Sequence, residues 1–153
     1  QEDHGANVPR IGLGSDSVAS NNTLDLFEEM RFAVLMQRGV HHRIMALTAR
    51  EAVEMATLGG AKALGLDREI GTLETGKRAD LCAVRLNGLH SAPAYHPYNA
   101  LVYAARASDV CLTVIGGETL YDTAQPQPFR RFDISECRKN LHLAAAKMRE
   151  WRG

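Results

Sequence analysis

One short stretch near the start of this chain limits what it can fold into. Ile11 to Gly14 is an apolar run that ends in Gly14-Ser15-Asp16-Ser17. That pattern predicts a brief buried strand whose C-terminal end delivers a polar cluster. A helix follows: Ser20-Asn21-Asn22-Thr23 supplies residues suited to a helix start. Asp25, Glu28 and Glu29 then place negative charge in the first turns. Leu26, Phe27, Met30, Ala33 and Val34 keep helical spacing, and Gly39 is expected to stop the helix after Arg38. A lone strand of this kind has no strand–helix units before it, and so cannot build a parallel sheet by itself. Its partners are expected from another chain, from an N-terminal part absent here, or from non-native association. Gln1 is not an initiator methionine and the opening residues carry no targeting pattern, so the chain reads as a fragment.

Further along, Thr48-Ala49-Arg50-Glu51 is a capping box opening a second helix whose apolar face is Ala52, Val53 and Ala56. Gly59-Gly60 is expected to interrupt it, and Ala61 to Leu64 to make a further short turn closed by Gly65. After Leu66 the character changes. Leu81 to Leu86 reads as a strand, and Val110 to Ile115, Gly116-Gly117 and Glu118 to Tyr121 read as a hairpin with a two-glycine turn. Leu101 to Ala105 is apolar without a decisive period. Gln125 to Pro128 reads as a short extended linker. A last helix begins near Ile134, with Asp133 and Glu136 in capping-box spacing. Its stripe of Ile134, Cys137, Leu141, Ala144, Met148 and Trp151 is expected to serve as core or subunit contact.

Charge excludes some functions. With 18 basic and 18 acidic residues and no long run of either sign, the chain lacks the basic footprint of a nucleic-acid or membrane-surface protein. No apolar stretch approaches the roughly 20 residues that span a bilayer. Cys82, Cys111 and Cys137 are odd in number and form no Cys-x-x-Cys pair; they read as buried small side chains in a reduced, cytoplasmic compartment.

Asp16 is the one candidate for chemistry. A carboxylate just past a buried strand stands where α/β barrels place catalytic groups, and there it can bind a divalent metal or move a proton. On spacing alone, capping a turn is the commoner role for such an aspartate. Gly12-Leu13-Gly14-Ser15-Asp16-Ser17 lacks the third glycine of a dinucleotide fingerprint. The histidines at 4, 41, 42, 90, 96 and 142 include no His-x-His and no His-Glu-x-x-His, and no Gly-x-Ser-x-Gly accompanies a serine.

Taken together, Gly14-Ser15-Asp16-Ser17, Ala19 to Arg31, Thr48 to Thr57, Gly60 to Gly65 and Ile70 to Leu81 carry a family resemblance. So do His96-Pro97, Leu101 to Ala104 and Val114 to Gly117. The chain resembles 5-methylthioadenosine/S-adenosylhomocysteine deaminases of the amidohydrolase superfamily, with triazine chlorohydrolases as near cousins. The likeness spans about residues 6 to 122. It implies the last strand and helices of a metal-dependent (β/α)₈ barrel over residues 1–66. Residues 67–122 would be the C-terminal share of a small composite β-sandwich, and 123–153 a linker and final helix. It implies that Asp16 is both a metal contact and the proton shuttle in attack of a metal-bound hydroxide on C6 of an adenine ring, with loss of ammonia. The implied cofactor is one divalent metal, zinc or alternatively iron, held only in the complete enzyme. The implied partners are a purine nucleoside substrate, the missing N-terminal barrel portion or a partner chain supplying it, and further copies in a homo-oligomer. The family's His-x-His, its other metal histidines and its acid–base glutamate all precede the eighth strand, so the isolated chain is expected to bind no catalytic zinc and to turn over nothing. A non-catalytic interaction module and a chlorohydrolase or other amidohydrolase specificity are the alternative readings.

Overall fold

The computed structural model describes residues 10–150, with the side chain of Glu150 left aside; His4 and Trp151 lie outside the described residues. Residues 11–17 form no strand. The reason is the one that made this segment so constraining. A strand needs a neighbour for its backbone groups, and the nearest backbone partner is helical: the Leu13 amide donates to the Met55 carbonyl at 3.3 Å.

The first helical turn, α1, is Val18–Asn21. The long helix α2, Leu26–His41, starts three residues later than the asparagine run suggested, because Asp25 is its cap and accepts from the Phe27 amide at 2.9 Å. It also runs through Gly39 and ends at His42, which adopts a left-handed conformation. A helical glycine costs only about 1 kcal/mol relative to alanine, which does not force a stop.

Met30 and Val34 are buried on one face of α2, spaced as successive turns require. They pack with Ala49 and Ala52 of α3 (Ala49–Glu54) and with Val102, forming the main core cluster. The Thr48–Glu51 capping box forms as read from the sequence. Gly59-Gly60 does not break the path: α3 passes through a π-helical stretch, Met55–Gly59, into α4, Gly60–Leu64, which closes at Gly65.

Beyond α4, β1 (Leu81–Val84) precedes α5 (Pro97–Asn99), which continues into a π-helical turn, Ala100–Ala104, the stretch without a decisive period. Then β2 (Val110–Ile115) and β3 (Glu118–Asp122) complete an antiparallel sheet of order β1-β2-β3. Leu81 stands opposite Val114, and Ile115 opposite Glu118 across the Gly116-Gly117 turn. Both glycines have positive φ, 58° and 81°, as a two-residue hairpin turn with primed geometry requires. Asp80 reinforces this turn by accepting the Gly116 amide at 2.6 Å, and the Ala79 carbonyl accepts from Gly117 at 3.1 Å. Ala79 and Asp80, at the end of the Ile70 to Leu81 stretch, therefore clasp the hairpin turn.

The last helix, α6, is Ile134–Glu150, capped by Asp133 on the Ser135 and Glu136 amides at 2.8 and 3.3 Å. Among the described residues its stripe stays outside the core cluster: Leu141 and Met148 are exposed. The cysteines also differ from expectation, since Cys82 and Cys137 are exposed and Cys111 half-buried, all three free thiols. Apolar neighbours in sequence do not decide burial on a strand, where Leu81 and Cys82 point to opposite faces. Among the described residues no helix is long and apolar enough to cross a membrane.

Candidate functional site

Asp16 lies exposed in the loop between the 11–14 segment and α1. Two glycine contacts set the approach of that segment to the π-helical stretch. A Cβ on Gly59 would come within 2.5 Å of the Ile11 carbonyl, and one on Gly12 within 2.8 Å of the Gly60 Cα. Only glycine permits backbones to meet this closely.

From there the chain turns sharply. Asp16 has φ 57°, the left-handed region that a non-glycine residue adopts only at a cost of order 1–3 kcal/mol. Its own side chain offsets part of that cost. Oδ1 accepts from the Ser17 amide at 2.7 Å and Oδ2 from the Ser20 hydroxyl at 2.9 Å. Ser20 reaches Asp16 because α1 lifts it one turn above Ser17, whose hydroxyl is 3.1 Å away.

A second set of contacts grips the loop from the other side. The amide nitrogen of Asn21 donates to the Ser15 carbonyl at 2.7 Å and also to Glu29 Oε1 at 2.5 Å. Glu29 belongs to α2, so the turn that carries Asp16 is linked to that sixteen-residue helix. The sequence reading assigned Asn21 to a helix start and Glu29 to the macrodipole. The available signal was the spacing of Ser20 and Asn21, four and five residues after Asp16, but no pattern in the sequence pairs Asn21 with Glu29.

Asp16 is a carboxylate without metal-ligating company. Among the described residues no three His, Cys, Asp or Glu side chains gather as a metal site would require. The described residues do not, by themselves, fit a catalytic zinc. His41 and His42 lie exposed at the end of α2, and His96 precedes α5. His90 hydrogen-bonds Asp109 at 2.9 Å, far along the chain and next to β2. That bond is the largest influence and holds the Asp109 carboxyl below its ordinary value of 3.8; burial opposes it, and the Arg106 amide with the charges of His90 and Arg106 adds to the lowering.

Comparison with known proteins extends this geometry beyond the chain itself. The pattern of the amidohydrolase family matches residues 2–120. A 5-methylthioadenosine/S-adenosylhomocysteine deaminase of Thermoanaerobacter pseudethanolicus is 36% identical over 138 residues, covering 90% of this chain and 31% of that protein. An adenosine deaminase from Xanthomonas campestris, solved with bound zinc, superposes with a TM-score of 0.86 at 34% identity, over 92% of this chain and 31% of that one. An atrazine chlorohydrolase from Arthrobacter aurescens complexed with zinc reaches 0.76 at 28% identity, over 86% and 28%. The chain thus spans less than a third of the length of each of these relatives.

Proposed function

We propose, since this chain belongs to the amidohydrolase family, that it forms the C-terminal part of a metal-dependent aminohydrolase that removes ammonia from an adenine-type nucleoside by hydrolysis. What carries the reading is Asp16: a carboxylate in a strained left-handed turn, both oxygens held by neighbours, at the end of the segment that the family resemblance reads as the last barrel strand. Enzyme sites store backbone strain where a reacting group must point in one direction. The higher identity and TM-score with the adenosine deaminase than with the chlorohydrolase favour deamination over dechlorination.

In this reading residues 1–66 complete the barrel, 67–122 contribute to a small β-sandwich, and 123–153 add a linker and helix. The divalent metal, zinc in first place, is held chiefly by side chains outside this chain, with Asp16 as its contact from this side. What Asp16 does is hold and pass a proton. It accepts one from the attacking water and returns it toward the departing amine, the general acid–base role its two fixed oxygens suit. The Ser17 amide and the Ser20 hydroxyl each take one lone pair of the carboxylate and leave the other on each oxygen free. The complete protein is further proposed to be cytoplasmic and homo-oligomeric.

Ammonia release from 5-methylthioadenosine by the complete, zinc-loaded protein tests this. Asp16→Asn is expected to lower kcat by roughly 10²–10⁴-fold, the range for removing a general acid–base group. An Asp16→Asn protein with wild-type turnover would remove Asp16 from the mechanism.

A further inference from the structure

Asp16 is held on two sides, and only one of them consists of its own immediate neighbours. Ser17 and Ser20 bind the carboxylate directly. Asn21 and Glu29 do not hydrogen-bond the carboxylate itself. Asn21 donates to the Ser15 carbonyl, the peptide oxygen just before Asp16, and to Glu29 on α2. An amide NH₂ has two protons, and both are used here. The half-buried Asn21 side chain is therefore fixed in rotation by Glu29 and in turn fixes the plane of the peptide entering Asp16. That peptide plane sets φ of Asp16, and φ sets where the carboxylate points.

We propose that Asn21 and Glu29 are positioning residues for Asp16, acting together as a strut from α2 that holds the Ser15–Asp16 peptide in the orientation the left-handed turn needs. The inference rests on the deaminase reading of Asp16 for its kinetic consequence, but not for its structural one. Glu29 fixes the Asn21 amide and that amide donates to the Ser15 carbonyl, so losing either residue frees the peptide that leads into the strained Asp16 turn. A glutamine at position 29 keeps an acceptor oxygen at the same reach, whereas alanine does not.

The test compares Asn21→Ala, Glu29→Ala, Glu29→Gln and Asp16→Asn in the complete protein. The readouts are steady-state kinetics with 5-methylthioadenosine, thermal melting, zinc content, and crystal structures of wild type and Asn21→Ala. Misplacing a catalytic group by about 1 Å costs on the order of 100-fold, so Asn21→Ala is expected to lose roughly that much kcat with KM within about twofold. Glu29→Ala is expected to lose less and Glu29→Gln to retain activity; melting in Asn21→Ala and Glu29→Ala should fall only by the few degrees that a lost hydrogen bond accounts for, with zinc content unchanged. In the Asn21→Ala crystal, Asp16 should leave its left-handed φ or its carboxylate should shift. The strut is refuted by an Asn21→Ala crystal in which Asp16 is unmoved, or by kcat losses that track equal losses of melting temperature in Glu29→Gln and Glu29→Ala. A wild-type protein without deaminase activity, or a fully active Asp16→Asn variant, would instead overturn the functional reading; the crystal comparison would still decide the strut.

Discussion

Replacing Gly59 by alanine should destabilise the protein, while the same change one residue later should stabilise it. Both glycines have ordinary right-handed helical dihedrals, near φ −61° and −60°, so alanine suits the backbone at each position. On propensity alone each change gains about 1 kcal/mol. The surroundings separate them. A Cβ added at Gly60 would meet nothing nearer than the Met55 carbonyl at 3.6 Å, an ordinary contact. A Cβ added at Gly59 would fall 2.5 Å from the Ile11 carbonyl and 3.1 Å from that of Glu54. Both obstacles are backbone, so neither can swing aside. Restoring contact at 3.4 Å moves the Ile11 segment by about 0.9 Å and strains the Leu13–Met55 hydrogen bond, already 3.3 Å long. Overpacking of this kind costs about 1–3 kcal/mol, and losing a backbone hydrogen bond adds about 0.5–1.5 kcal/mol. Set against the propensity gain, Gly59→Ala should lose a net of about 1–3 kcal/mol, while Gly60→Ala should gain up to about 1 kcal/mol. Urea unfolding of the intact protein followed by circular dichroism measures both. The same retreat would drag the Asp16 turn, so kcat should fall in Gly59→Ala and hold in Gly60→Ala. A Gly59→Ala protein as stable as Gly60→Ala would refute the argument that glycine is required here by the approach of the Ile11 segment.

Two other sites give smaller, independent outcomes. Thr48→Ala removes the side chain that accepts the Glu51 amide at 3.2 Å and should cost about 1 kcal/mol in urea unfolding, with Thr48→Ser restoring most of it. At Asp109 the folded carboxyl titrates below its ordinary 3.8, so its contribution is fully present above that value and lost as pH falls through the folded one. His90→Ala should therefore lower stability at pH 6 by at most about 1 kcal/mol, since the pair is screened by solvent. The difference from wild type should shrink as the pH is lowered past 4; a difference that grows in acid would contradict the assignment.

How much of this was legible in the sequence depended on whether the deciding contact was local. The Thr48–Glu51 capping box and the Gly116-Gly117 hairpin form as read, because each is settled within a few residues. Ile11 to Gly14 looked like a strand because its composition is that of one, but a strand is a relation between two segments and none pairs with it among the described residues. Gly39 looked like a stop, yet the helix continues for two more residues because one glycine is a small penalty against an extended helix. The burial of Cys82, Cys111 and Cys137 was misjudged because neighbours in sequence point away from one another on a strand and Cys137 lies on an exposed part of the terminal helix.

The acidic start of α2 shows what a pattern conceals. Asp25, Glu28 and Glu29 were legible as charges favourable to a helix N-terminus, a contribution of roughly 0.3–1 kcal/mol each. In the structure each carboxylate also has a specific partner. Asp25 accepts from Phe27 at 2.9 Å and, across 82 residues of chain, from the Ala107 amide at 3.0 Å. Glu28 accepts from the Thr23 hydroxyl at 3.0 Å, and Glu29 from Asn21. Two turns into the helix Arg31 continues the pattern with the opposite charge, donating to the carbonyls of Val102 and Ala105 at 3.2 and 2.9 Å. Val102 is itself part of the core that buries Met30 and Val34. One helix therefore clasps the Asp16 turn at its start and the 102–107 stretch along its flank. The macrodipole would be served equally well by any acidic residue in that turn; these hydrogen bonds would not. Exchanging the order of Asp25, Glu28 and Glu29 would keep the charge and lose the clasp, so the placement of these side chains, more than their number, connects the fold to its one candidate catalytic carboxylate.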